Sequence, residues 1–155
     1  TFEKNGIATV IKHIPGHGLS SKDTHSDLPK IKEKLSKLKK NDFYPFKNKS
    51  SCLAMTAHII YESIDKLNTA THSKKVIKLI RNNIGYKNII MTDDISMKAL
   101  KFSLEENTIR AFTAGCNLVL HCNANFKEME IVAKNSPQID KFILKKTSQF
   151  YKILS

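Results

Sequence analysis

Arginine is nearly absent from this sequence: Arg81 and Arg110 are the only two among 26 lysines and arginines in a chain of 155 residues. That weighs against a dedicated reader of phosphate or nucleic acid, for which arginine's planar fork is the preferred tool. Cysteine is scarce too. Cys52, Cys116 and Cys122 are odd in number and fit no Cys-x-x-Cys spacing, so reduced thiols are expected in place of a disulfide framework or a structural zinc site. No apolar run approaches the ~20 residues of a membrane-spanning helix. The opening Thr1-Phe2-Glu3-Lys4 lacks the basic-then-apolar order of a signal peptide, and the expectation is a cytoplasmic protein. No linker or low-complexity stretch divides the chain, so residues 1–155 read as one unit.

What is present is a globular composition, 41% hydrophobic and 26% charged, with a formal net charge of +12. At this length a single domain with its own core is expected. The positive charge is carried by lysines such as Lys30, Lys34, Lys37 and Lys40, which flank Ile31, Leu35 and Leu38 at helical spacing. They read as a solvated helix face. No nucleic-acid partner is expected, and a basic binding module is the lesser alternative.

Gly6-Ile7-Ala8-Thr9-Val10-Ile11 reads as a buried parallel strand, after which the chain turns abruptly to ionisable groups at Lys12. A helix is expected around 30–40, with Pro45 interrupting the segment that carries Phe43 and Phe46. Cys52-Leu53-Ala54-Met55 reads as a second strand ending in Thr56-Ala57-His58. Ser73 is placed to cap a helix carrying Val76, Ile77, Leu79, Ile80 and Ile84 on one face, and Gly85 to stop it. Asn88-Ile89-Ile90-Met91 is the third strand, ending in Thr92-Asp93-Asp94. A helix with Leu104, Ile109 and Phe112 leads to Gly115, and Leu118-Val119-Leu120 is the fourth strand, ending in His121-Cys122-Asn123. Two more helical stretches come last, near 126–135 and after Pro137. Strands alternating with helices give an α/β fold with a parallel sheet. A polar cluster at each strand end is the pattern of a (β/α) barrel active site, although four strands are half of a closed barrel.

Taken by themselves, the polar groups at the first strand end are open to metal, phosphate or sugar chemistry. His13, His17, His25 and Asp23 are all possible metal ligands, and His13 and His17 stand four apart. Pro15 and Gly16 lie between them, however, and disfavour the helix that would put both on one face. Asp93-Asp94 could equally be a helix cap, a place where aspartate is favoured.

Lys12-His13-Ile14-Pro15-Gly16-His17-Gly18 with Asp23-Thr24-His25 and Leu28-Pro29, Met55-Thr56-Ala57-His58, and Met91-Thr92-Asp93-Asp94-Ile95-Ser96-Met97 together resemble the β-N-acetylglucosaminidases of glycoside hydrolase family 3. Ala114-Gly115-Cys116-Asn117-Leu118-Val119-Leu120 is similar to that family's last barrel strand. The resemblance runs in order from about residue 7 to 124 and implies a partial TIM barrel, its last four β/α units followed by C-terminal helices. It implies hydrolysis of terminal β-linked N-acetylglucosamine with retention, and no metal or other cofactor. By position Asp93 matches the nucleophile, His25 the general acid/base and Asp23 the partner that orients it, while Lys12 and His13 match sugar-binding residues. Gly16 and Gly18 would let the loop bend past the ligand. Asp94, His17, His72 and His121 are expected to be structural, and His58 either lines the pocket or is a buried, hydrogen-bonded histidine. The family's other barrel half would supply an arginine and an aspartate that grip the sugar, and no residue here matches them. The implied substrate is a muropeptide-type oligosaccharide. The implied macromolecular partner is a complementary N-terminal barrel half or a second copy of the chain; without one the unit reads as a remnant or half-barrel interaction module.

Overall fold

A computed structural model describes residues 2–20 and 28–154. Its framework is a four-stranded parallel sheet of β1 (Val10–Ile14), β3 (Leu53–Thr56), β5 (Ile89–Asp94) and β6 (Leu118–Leu120), in the order β1-β3-β5-β6. Chain order is therefore spatial order, as successive right-handed β/α units require. Ile11 is paired with Ala54, Ala54 with Ile90, and Met91 with Leu118.

The connecting helices take their limits from local chemistry. Ser73 Oγ accepts the Val76 N–H at the start of α2 (Lys74–Leu79), which runs into a wider turn over Ile80–Ile84 and stops at Gly85 with φ of 84°. Ser103 caps α3 (Leu104–Ala114) in the same way, and Gly115 ends it at φ 110°. A β-carbon on Gly115 would also lie 3.1 Å from Ile77 Cγ2, so this turn favours glycine for space as well as for φ. The core lies between sheet and helices, with Ile14, Ala54 and Ile90 from the strands meeting Val76, Ile80 and Ala111. At its other end Phe43 packs edge-on against Tyr61, ring centroids 5.8 Å apart.

Three expectations need correction. The first strand is Val10–Ile14, not 6–11, so Lys12 and His13 lie within it. It is also only partly buried, because it is an edge of the sheet. The helix expected around 30–40 is only α1 (Leu35–Lys40); Lys30–Ile31 is instead β2, paired in parallel with β4 (Ile60–Tyr61) in a separate two-stranded sheet. Lysine-flanked Ile31 has the spacing of a helix face, but a buried strand pairing overrides it. Ile109 of α3 is 45% exposed, so it does not share the buried face of Asn107, Thr108 and Ala111.

The last helices, α4 (Phe126–Lys134) and α5 (Lys141–Leu154), are thinly covered. Among their described residues only Ile143 is buried, while Phe126, Met129 and Leu144 are exposed.

Candidate active site

Parallel strands deliver their side chains to a common edge, and the carboxyl ends of β1, β3, β5 and β6 converge on Asp93 and Asp94. His13, from the irregular end of β1 where the register shifts between Lys12 and Ile14, places Nε2 3.3 Å from Asp93 Oδ2. The Asp94 N–H donates to Asp93 Oδ1 at 2.9 Å. The imidazole hydrogen bond holds the Asp93 carboxyl at about 2, below its ordinary 3.8, against the upward push of partial burial. Asp93 is thus an ionised carboxylate over the whole neutral range, with its side chain 21% exposed.

Asp94 does different work. Its carboxylate accepts from the Ser96 N–H at 3.0 Å, the Ser96 hydroxyl at 2.7 Å and the Cys122 N–H at 3.3 Å, tying the turn after β5 to the end of β6. It closes a turn and caps no helix, so two aspartates that look alike in sequence separate into one carboxylate facing His13 and one bound up in backbone.

His58, from the end of β3, is fully buried. Its Nδ1 lies 2.8 Å from Thr71 Oγ1 and its Nε2 2.9 Å from the Asp94 carbonyl oxygen; burial lowers its proton affinity. The buried, hydrogen-bonded reading of this histidine therefore holds. His72 is buried as well, and His121 bonds Glu128 Oε2 at 2.6 Å.

Lys12 is exposed on β1, in register with Met55, and the His17 ring lies 5.5 Å from that of His13. Gly16 has a reason other than ligand approach: a β-carbon there would fall 2.6 Å from Cβ of buried Asp42. The loop is held down by the Tyr61 hydroxyl, which donates to the Gly16 carbonyl, and by Asp42, whose carboxylate accepts the Leu19 N–H. Asp23 and His25 lie outside the described residues. Of the five residues singled out for chemistry and sugar binding, the structure thus joins His13 to Asp93 directly, and Lys12 is the residue before His13 on β1.

No group of three or more histidine, cysteine, aspartate or glutamate side chains among the described residues is arranged to hold a metal ion. A pocket of about 180 Å³ opens beside the Asp94 turn, lined by Ser96, Lys98, Asn107, Asn123 and Glu128. The larger cavity, about 700 Å³, lies at the opposite end of β6 around Asn117 and Ile139, away from the aspartates.

The sequence matches the Glycosyl hydrolase family 3 N terminal domain over residues 1–147. Among curated proteins, a beta-hexosaminidase of Neisseria meningitidis serogroup C is 32% identical over 127 residues, which are 79% of this chain and 35% of that protein. A family 3 beta-N-acetylglucosaminidase from Paenibacillus superposes with a TM-score of 0.85 at 25% identity, covering 98% of this chain and 31% of that one. NagZ from Neisseria gonorrhoeae, solved with a zinc ion, gives 0.78 at 26% identity, covering 95% and 42%. The chain spans about a third of the length of the curated relatives it matches. Its four parallel β/α units correspond to part of their barrel, and the chain belongs to glycoside hydrolase family 3.

Proposed function

We propose that this chain carries the reacting side of a retaining β-N-acetylglucosaminidase. The observation that supports this most is the Asp93 carboxylate, kept ionised at a strand end by His13. In the first step Asp93 attacks the anomeric carbon as the glycosidic C–O bond breaks, and His25 gives its proton to the departing oxygen. In the second, His25 takes a proton from water, the water oxygen bonds to the anomeric carbon, and Asp93 leaves as a carboxylate. Asp23 would fix the imidazole tautomer, and Lys12 and His13 would hold sugar hydroxyls. Two displacements at one carbon retain configuration; with a histidine as acid/base, the spacing rule for two carboxylates does not apply. A negative Asp93 also stabilises the oxocarbenium-like transition state.

The substrate class we infer is terminal β-linked N-acetylglucosamine on peptidoglycan-derived muropeptides, with cell-wall recycling in the cytoplasm as the setting. The relatives named beta-hexosaminidase support the sugar. Among the described residues no helix is long and apolar enough to cross a membrane. Productive binding would need the other barrel half, because positioning errors at the reacting atoms are costly in rate.

A second reading, a half-barrel module that binds without turning over, is favoured by one observation: among the described residues β1 and β6 are both unpaired edges of the sheet. A chromogenic β-N-acetylglucosaminide assay separates the two, run on the chain alone and on the chain with an N-terminal barrel half from a relative. Hydrolysis that Asp93→Ala abolishes supports the enzyme. Hydrolysis absent from both preparations sinks it.

A further inference from the structure

His58 belongs to none of the roles above, yet both of its ring nitrogens are hydrogen-bonded beneath the site. The direction of its bonds can be read from chemistry alone. The Asp94 carbonyl oxygen can only accept, so the Nε2 that lies 2.9 Å away must carry hydrogen. A neutral ring then leaves Nδ1 as an acceptor, and its partner at 2.8 Å, Thr71 Oγ1, must donate. The Ala57 carbonyl is a second, longer acceptor for the Thr71 hydroxyl at 3.3 Å; with its one hydrogen directed to the nearer Nδ1, the Thr56 hydroxyl, 2.8 Å away, donates to Thr71. All three side chains are essentially inaccessible to water. The result is a one-way chain of hydrogen bonds, Thr56 to Thr71 to His58 to the Asp94 carbonyl. Such bonds strengthen one another in a low-dielectric interior.

The far end of that chain matters because the N–H of the same Asp94 holds Asp93 Oδ1. The Met97 N–H also donates to the Asp94 carbonyl, at 3.2 Å, but it belongs to the turn itself; His58 is the side chain that reaches this carbonyl from β3. We propose that His58 is a positioning residue: a neutral, Nε2-protonated imidazole that pins Asp94, and through the Asp94 N–H fixes the rotamer Asp93 presents to the anomeric carbon. The assignment of Asp93 as nucleophile rests on the function proposed above; the tautomer and its consequence for Asp93 do not.

Two sets of measurements test the proposal, one of them without turnover. In the 15N,13C-labelled full chain, long-range ring spectra should show hydrogen on Nε2 and a bare Nδ1 from about pH 7 to about pH 8, above the range in which an ordinary imidazole gains its proton. Coupling should also pass through the hydrogen bond to the Asp94 carbonyl carbon. An Nδ1–H tautomer or an imidazolium over that range overturns the proposal, enzyme or not.

His58→Gln keeps an amide donor where Nε2 stands, whereas His58→Asn puts its amide at the Nδ1 end, short of Asp94. The Asp93 carboxyl, followed by its 13C shift, should keep its low pKa in the glutamine variant and show a higher one in the asparagine variant, with the part due to His13 retained. On the barrel-completed protein, His58→Asn should lower kcat roughly tenfold to hundredfold with KM little changed, and His58→Gln should restore most of it. Equal behaviour of the two variants in both readouts overturns the proposal. Thr71→Val keeps the shape of the site and covers the case in which His58→Asn does not fold. It removes the donor to Nδ1 together with the hydroxyl's contacts to Thr56 and the Ala57 carbonyl, so hydrogen should stay on Nε2 while the Nδ1 resonance moves to that of an unbonded ring nitrogen, and an unchanged ring spectrum overturns the relay. If the wild-type protein shows no turnover while the ring spectra stand as expected, the glycosidase reading fails and the placement of His58 survives.

Discussion

Asp93 and His13 are 80 positions apart in sequence and share a hydrogen bond in space, and each constrains what the other can do. Because Asp93 titrates at about 2 in the fold and at 3.8 when unperturbed, its ionised form adds stability above about pH 4. That increment is lost as pH falls from about 4 to about 2. It is roughly 1–2 kcal/mol once partial exposure is allowed for. His13→Ala should therefore raise the Asp93 pKa toward 3.8 in a carboxyl NMR titration. Its deficit in urea stability should be seen at neutral pH and shrink below pH 4. Arg81 offers a contrasting case. It donates to the carbonyls of Tyr86 and Asn88 at 3.1 and 2.6 Å and to Asn117 Oδ1 at 2.7 Å, so half of the chain's arginine serves the fold. Arg81→Leu leaves these acceptors short of a donor and should cost about 2–4 kcal/mol in denaturant melts. The family resemblance supplies the roles of Asp93 and His13; the sequence pattern by itself only sets His13 and the Asp93-Asp94 pair beside apolar runs that read as strands. It cannot distinguish Asp93 from Asp94, which differ only in what lies opposite them, nor find Thr71, which reaches His58 from a segment with no periodicity of its own.

Among the elements, those with strong local signals lie where the sequence places them. Ser73, Gly85 and Gly115 bound their helices as their chemistry demands, since a hydroxyl at a helix start and a glycine at a left-handed end act within a few residues. Ser73→Ala should lower stability by about 1 kcal/mol by thermal melting. It also removes the Ser73 hydroxyl's 2.7 Å bond to Asp65, so the lowered pKa of Asp65 should rise part of the way back toward its ordinary value. Elements defined by distant pairing are harder to read. β2 and β4 are two residues each, too short for any alternation to show, and exist because Lys30 meets Ile60 and Ile31 meets Tyr61. The first strand departs from its pattern for a related reason: an apolar run marks burial, but the hydrogen-bonded segment starts at Val10 and carries the ionisable Lys12 and His13 inside it.

The whole molecule is a parallel sheet with apolar side chains left uncovered near its margins, among them Ile7 and Val10 toward β1 and Phe126 and Met129 on α4. Exposed edges and apolar patches of this kind favour association. The 155-residue chain by itself is expected to self-associate with rising concentration in sedimentation velocity. Co-expression with an N-terminal barrel half should replace that with a defined complex; a monomer at every concentration would show that the margins are already satisfied. The strand order β1-β3-β5-β6 adds a constraint on any such complex. A chain that closes the ring must grip both margins, so once it has seated against one, the other sees it at an effective concentration set by the reach of the intervening strands and no longer by the solution. Assembly would then be all-or-none in character, and damage confined to either margin should weaken the grip on both.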